Sequence, residues 1–131
     1  MIEENNVIVM DIDGTLCEKK PKNVDYIDLK PNEKVLKKLL EYKDSGYYII
    51  LYTSRNMRTH EGNIGKINSN TAKIIFEWLD KFNIPYDEIF FGKPWCGRNG
   101  FYVDDKAIRP SEFVNLSSEE IQNLLKREES L

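Results

Sequence analysis

The chain has 131 residues, a formal net charge of −3, 40% hydrophobic and 31% charged side chains, a size and balance that predict one globular domain over residues 1–131 with its own core. The mild negative charge argues against a broad nucleic-acid footprint, and two cysteines, Cys17 and Cys96, are too few for a secreted disulfide framework. An acidic, polar start that does not read as a signal peptide, and the lack of any apolar run of membrane-spanning length, make a cytoplasmic protein without a membrane partner the expectation.

Residues 7–10, Val-Ile-Val-Met, read as a buried strand. The strand runs straight into Asp11-Ile12-Asp13-Gly14-Thr15. Burying charge is expensive, so a core strand that ends in two acids calls for a cation or a shared proton. Gly14 permits a sharp turn, and Thr15 brings a hydroxyl and an amide beside the acids. Residues 18–29 are polar and irregular, and predict a loop or short hairpin next to this turn. A helix follows from Pro31 or Asn32 to Gly46, with Val35, Leu36, Leu39 and Leu40 on one face.

Residues 47–52 form a second apolar strand ending at Thr53. A polar loop over 54–70 carries Arg55, Asn56, Arg58 and His60. The next helix, 71–82, places Ile74, Ile75, Trp78, Leu79 and Phe82 on one stripe, and Pro85 prevents its continuation. Two short strands, 88–91 and 101–103, come next, and the second runs into Asp104-Asp105. Ser117 and Glu120 have the spacing of a capping box for a last helix whose core face is Ile121, Leu124 and Leu125.

Strands alternating with helices predict an α/β fold, a Rossmann-like, doubly wound, mostly parallel sheet with helices on both faces. Only nine residues, 92–100, separate the last two strands, too few for a crossover helix of the usual size. Ligands in such sheets sit beyond the carboxyl ends of the strands. Acids at two of those ends read as a Mg²⁺ and phosphate site with one carboxylate free to attack phosphorus.

Four ordered motifs carry a family resemblance. They are Asp11-Ile12-Asp13-Gly14-Thr15-Leu16, Thr53 after the second strand, Lys93 after Ile89-Phe90-Phe91-Gly92, and Asp104-Asp105 after the last strand. Together they resemble the haloacid dehalogenase superfamily over about residues 7–110. The resemblance implies Asp11 as the nucleophile that forms an aspartyl-phosphate, and Asp13 as the general acid and base. Relatives that cleave carbon–halogen bonds lack the second acid, so Asp13 favours phosphate esters. It further implies Mg²⁺ held by Asp11, the Asp13 backbone carbonyl, Asp104 and Asp105, with either of the last two as direct ligand. Thr53, with Ser54 as its fallback, matches the phosphate-binding hydroxyl, Gly14 lies in the phosphate-binding turn, and Lys93 offsets charge on the phosphoryl group. Arg55, two residues past Thr53, stands at the rim as a substrate contact or a solvated loop residue. Trp95, Arg98 and Asn99 are candidate pocket walls beside Lys93.

The intervals from Asp11 to Thr53 and from Thr53 to Lys93 are 42 and 40 residues. Each is mostly used by one core helix, so no cap domain is expected. Among capless members, Tyr52-Thr53-Ser54-Arg55-Asn56-Met57-Arg58-Thr59 and Tyr102-Val103-Asp104-Asp105-Lys106-Ala107-Ile108-Arg109-Pro110 resemble small bacterial phosphatases tied to capsular polysaccharide biosynthesis. That implies a small phosphorylated sugar or polyol as substrate, with a homo-oligomer as one way to cover an open site. Two other readings remain: a phosphatase of a phosphoprotein or nucleic-acid end, and a non-catalytic partner of a glycosyl-transfer enzyme.

Overall fold

The computed structural model describes residues 6–53, 63–92, 96 and 99–131. Four strands, β1 (Val7–Asp11), β2 (Tyr48–Tyr52), β3 (Glu88–Phe90) and β4 (Phe101–Val103), form one parallel sheet in the order β3-β2-β1-β4. Asp11 lies opposite Tyr52, Met10 opposite Val103 and Tyr52 opposite Phe90, so the strands reach their carboxyl ends at one edge of the sheet. The fold is α/β and Rossmann-like, as the alternating pattern predicts.

Strand alternation divides the apolar residues between two faces. Ile8, Met10, Ile49 and Leu51 pack with Leu39, Ile75, Trp78 and Leu79 from the helices. Val7, Val9, Ile50 and Tyr52 form a smaller cluster on the other face, joined among the described residues by Tyr48 and Cys96.

Helix α1 (Glu33–Asp44) begins where Asn32 Oδ1 accepts from the backbone N–H groups of Lys34 and Val35, both at 3.1 Å. Its buried residue is Leu39, whereas Leu40, expected on the same core face, is 41% exposed. The next helical run starts earlier than the sequence suggests. Polar residues 63–70 read as loop, yet α2 (Ile64–Ile67) is helical, opened by Asn63 Oδ1 accepting from Lys66 N–H at 3.1 Å. A wide π-type turn, Asn68–Ala72, then leads into α3 (Lys73–Lys81). Ile67 and Ala72 are buried, while Ile74, expected on the core stripe, is 38% exposed at its edge.

Trp78 ties α3 to the segment after the first turn, because its buried Nε1 donates to the Leu29 carbonyl at 2.6 Å. A short 3₁₀ turn, Tyr26–Asp28, occupies part of that segment. Among the described residues the intervals between β1 and β2 and between β2 and β3 hold only these helices and turns, with no cap domain. The brief connection into β4 passes close to β1: a Cβ on Gly100 would lie 2.7 Å from the Val7 carbonyl oxygen.

One further helix is not evident in the sequence pattern. Helix α4 (Pro110–Asn115) opens with Pro110 and with Arg109 N–H donating to Glu112 Oε1 at 2.9 Å. In α5 (Ser118–Arg127) the capping box is present, with Glu120 N–H to Ser117 Oγ at 3.1 Å and Ser117 N–H to Glu120 Oε1 at 3.0 Å. The expected core face is not found: Ile121, Leu124 and Leu125 are only half-buried, and none of them joins the main core cluster. Among the described residues no helix is long and apolar enough to cross a membrane.

Candidate active site

The first turn is built on one carbonyl. Ile12 O accepts from the N–H groups of Thr15, Leu16 and Cys17 at 3.3, 3.0 and 3.1 Å. Gly14, at φ +86°, closes the turn by donating its N–H to Cys17 O at 2.8 Å. Only glycine suits this position, since a Cβ there would lie 2.8 Å from Asp105 Cγ. The two acidic motifs therefore meet where a side chain is missing. Thr15 secures the meeting: its Oγ1 accepts from Asp105 N–H at 3.1 Å and lies 3.5 Å from Asp105 Oδ1.

Strand order explains the acid cluster. β1 carries Asp11 at its carboxyl end, and the neighbouring β4 runs directly into Asp104 and Asp105. One carboxylate oxygen from each of Asp11, Asp104 and Asp105 lies within 4.8 Å of the others, and all three residues are half-buried. The Asp11 carboxyl is pushed up to about 8, first by burial and then by the negative charges of Asp104, Asp13 and Asp105. Three hard oxygen donors without a soft ligand, one of them reluctant to ionise unaided, are the donor set that suits Mg²⁺.

Asp13 is held apart from this trio. Its Oδ2 accepts from Thr53 Oγ1 at 2.7 Å, and Thr53 is fully buried, with its N–H donating to Phe90 O at 3.0 Å. The Asp13 side chain is thus outside the acid cluster. Thr53, read as a phosphate-binding hydroxyl, here contacts an acid instead. Gly14 contributes backbone shape, with its own N–H already bonded.

Lys93, Ser54 and Arg55 lie outside the described residues, as do Asn56, Arg58, His60, Trp95 and Arg98; Asn99 is exposed. Sequence reasoning missed Tyr52, whose hydroxyl donates to Asp104 Oδ2. Its signal was present in the register, since Tyr52 ends β2 as Asp11 ends β1. Burial, then the bond to Asp104 and the nearby carboxylates, raise the Tyr52 phenol above its ordinary range, so it remains a donor. Also unexpected is a cleft of about 550 Å³ beside the turn, between Gly14, Thr15 and Asp105 on one side and Leu125, Glu128 and Leu131 on the other.

No protein-family profile and no curated protein matches the chain. Among solved structures it is similar to an MCSG target from Vibrio cholerae, with 50% identity, 94% of this chain and 98% of that chain covered, and a TM-score of 0.64. Two looser likenesses are a D,D-heptose 1,7-bisphosphate phosphatase from B. bronchiseptica complexed with magnesium and phosphate, and a Pnkp1/Rnl/Hen1 complex. The first is 16% identical, with 65% of this chain and 48% of that chain covered and a TM-score of 0.45. The second is 22% identical, with 86% and 34% covered and a TM-score of 0.49.

Proposed function

We infer that this chain, which belongs to the same family as the Vibrio cholerae protein, is a Mg²⁺-dependent phosphomonoester hydrolase of the haloacid dehalogenase type. The observation that carries this reading is the division of labour among the acids. Asp11 shares a tight cluster with Asp104 and Asp105, while Asp13 is held separately by Thr53. Nucleophile and proton carrier must be distinct groups in distinct environments, and this arrangement supplies both.

In this mechanism Asp11 attacks phosphorus in line with the departing oxygen and forms an aspartyl-phosphate. The ester P–O bond breaks, and Asp13 protonates the leaving alkoxide. Asp13 then takes a proton from water as that water attacks phosphorus, which releases inorganic phosphate and restores Asp11. Asp11, Asp104, Asp105 and the Asp13 carbonyl would hold Mg²⁺, which would offset the negative charge of the acids and the phosphate. Lys93 is assigned a supporting positive charge, with Ser54 and Arg55 as further phosphate or substrate contacts.

The substrate proposed is a small phosphorylated sugar or polyol used in capsular polysaccharide synthesis, in the cytoplasm. The family resemblance of the motifs supports it, and a small substrate also suits a site flanked by a cleft of about 550 Å³. The test is phosphate release from an aryl phosphate and from a panel of sugar and polyol phosphates, with Mg²⁺ and with chelator. Mg²⁺-dependent release with a preference for a sugar or polyol phosphate is expected. No release from any member of the panel with Mg²⁺ present overturns the reading.

A further inference from the structure

We propose that Tyr52 is a positioning residue for the metal centre: its hydroxyl fixes the orientation of Asp104 and so sets metal affinity. This rests on the reading of Asp11, Asp104 and Asp105 as Mg²⁺ ligands. Tyr52 is the last residue of β2 and only 6% exposed. β1 lies between β2 and β4, so the phenol reaches past the strand carrying Asp11 to donate to Asp104 Oδ2.

The other oxygen of Asp104 is held as well. Oδ1 accepts from the Lys106 N–H at 2.7 Å. With one donor on each oxygen the carboxylate plane cannot rotate freely, yet each oxygen keeps a lone pair for a cation. A carboxylate already oriented loses less freedom when it binds metal. Among the described residues, Tyr52 clusters on its sheet face with Val7, Val9 and Ile50, and Tyr48 and Cys96 pack against that cluster. Phenylalanine would fill that apolar space equally well, so packing does not account for the hydroxyl. The hydroxyl is matched to Asp104. Partners of ligating carboxylates typically alter metal affinity by about 10–100-fold when removed.

The experiment compares Mg²⁺ binding to wild type and Tyr52→Phe by isothermal titration. The dissociation constant should rise about tenfold or more in the variant, the KM for an aryl phosphate at saturating Mg²⁺ should stay within twofold, and saturating Mg²⁺ should restore most of the rate. In an Asp104→Asn background the same substitution should change metal affinity by less than about twofold, because the hydroxyl acts through that carboxylate. Equal Mg²⁺ affinity in wild type and Tyr52→Phe overturns the proposal, as does an undiminished effect in the Asp104→Asn background. If Tyr52→Phe does not fold, 3-fluorotyrosine at position 52 keeps the hydroxyl and reports on it; a ¹⁹F resonance unmoved by saturating Mg²⁺ overturns the proposal. Wild type that binds no Mg²⁺ overturns the ligand reading and this proposal together, whereas binding equal in wild type and variant overturns this proposal alone.

Discussion

Thr53 Oγ1 donates to Asp13 Oδ2 at 2.7 Å, linking the residue after β2 to the acid two places past the end of β1. A general acid must present its proton along a narrow approach to the leaving oxygen. Thr53→Val removes the donor at nearly constant volume, so kcat should fall about tenfold or more, within the roughly 10²–10⁴-fold that general acid–base catalysis contributes. Thr53→Ser keeps the hydroxyl and should retain most activity. A steady-state comparison of the two variants checks this; equal, near-normal rates in both would remove Thr53 from the positioning of Asp13.

The two acids of the first motif should respond differently to amide substitution. Asp11→Asn should abolish both turnover and aspartyl-phosphate formation, since an amide is a far poorer nucleophile. Asp13→Asn should slow turnover severely, yet still allow slow phosphorylation of Asp11 from an aryl phosphate, whose leaving group needs little protonation. Acid-quenched labelling followed by mass analysis separates the two. A labelled Asp11→Asn protein would reassign the nucleophile.

Without metal, stability should fall as pH rises. In the folded state Asp11 titrates at about 8, against a usual value of 3.8, mainly through burial and then through Asp104, Asp13 and Asp105. Between those values the folded protein holds a proton that the unfolded chain has released, so each step up in pH favours unfolding. Below about 4 both states are protonated and the contribution is constant. Mg²⁺ replaces that proton, so saturating metal should flatten the slope and bind more tightly as pH rises. Melting temperatures from pH 4 to 8, with chelator and with Mg²⁺, test the pair of statements. A chelated protein whose stability rises across that range would contradict them.

Trp78→Phe should destabilise the fold by about 1–3 kcal/mol, because it leaves the Leu29 carbonyl without its donor while preserving most of the ring. Urea unfolding of the metal-free proteins gives the number directly. A loss below about 0.5 kcal/mol would mean that water or a shifted backbone replaces the indole.

How far the sequence could be read depended on what each element had to bury. The strands were legible because Val7, Val9, Ile49 and Leu51 are fully buried, and runs so apolar have few alternatives. Asp11 and Asp104–Asp105 were legible as companions because parallel strands deliver their ends to one edge. The start of the second long helix was not, since residues 63–70 are mostly polar and Asn63 caps the helix with a side chain equally suited to a loop. The exposure of Ile74 follows from ordinary helix geometry in α3, since it lies about 100° around the helix from Ile75, at the edge of the buried stripe of Ile75, Trp78 and Leu79. Tyr52 escaped because its ring is core and its function rests on one oxygen atom, donated to a residue 52 positions away.

Tyr52 and Thr53 are consecutive, so in an extended chain their side chains leave on opposite faces, one toward Asp104 and the other toward Asp13. That adjacency turns β2 into a measuring rod. Deleting or inserting one residue between the bend at Gly46 and Thr53 would exchange the two faces, and both acids would lose their donors at once. Substitutions along β2 can be sampled one at a time by natural variation, but a change in its length cannot. Homologues should therefore differ in length almost anywhere else before they differ there.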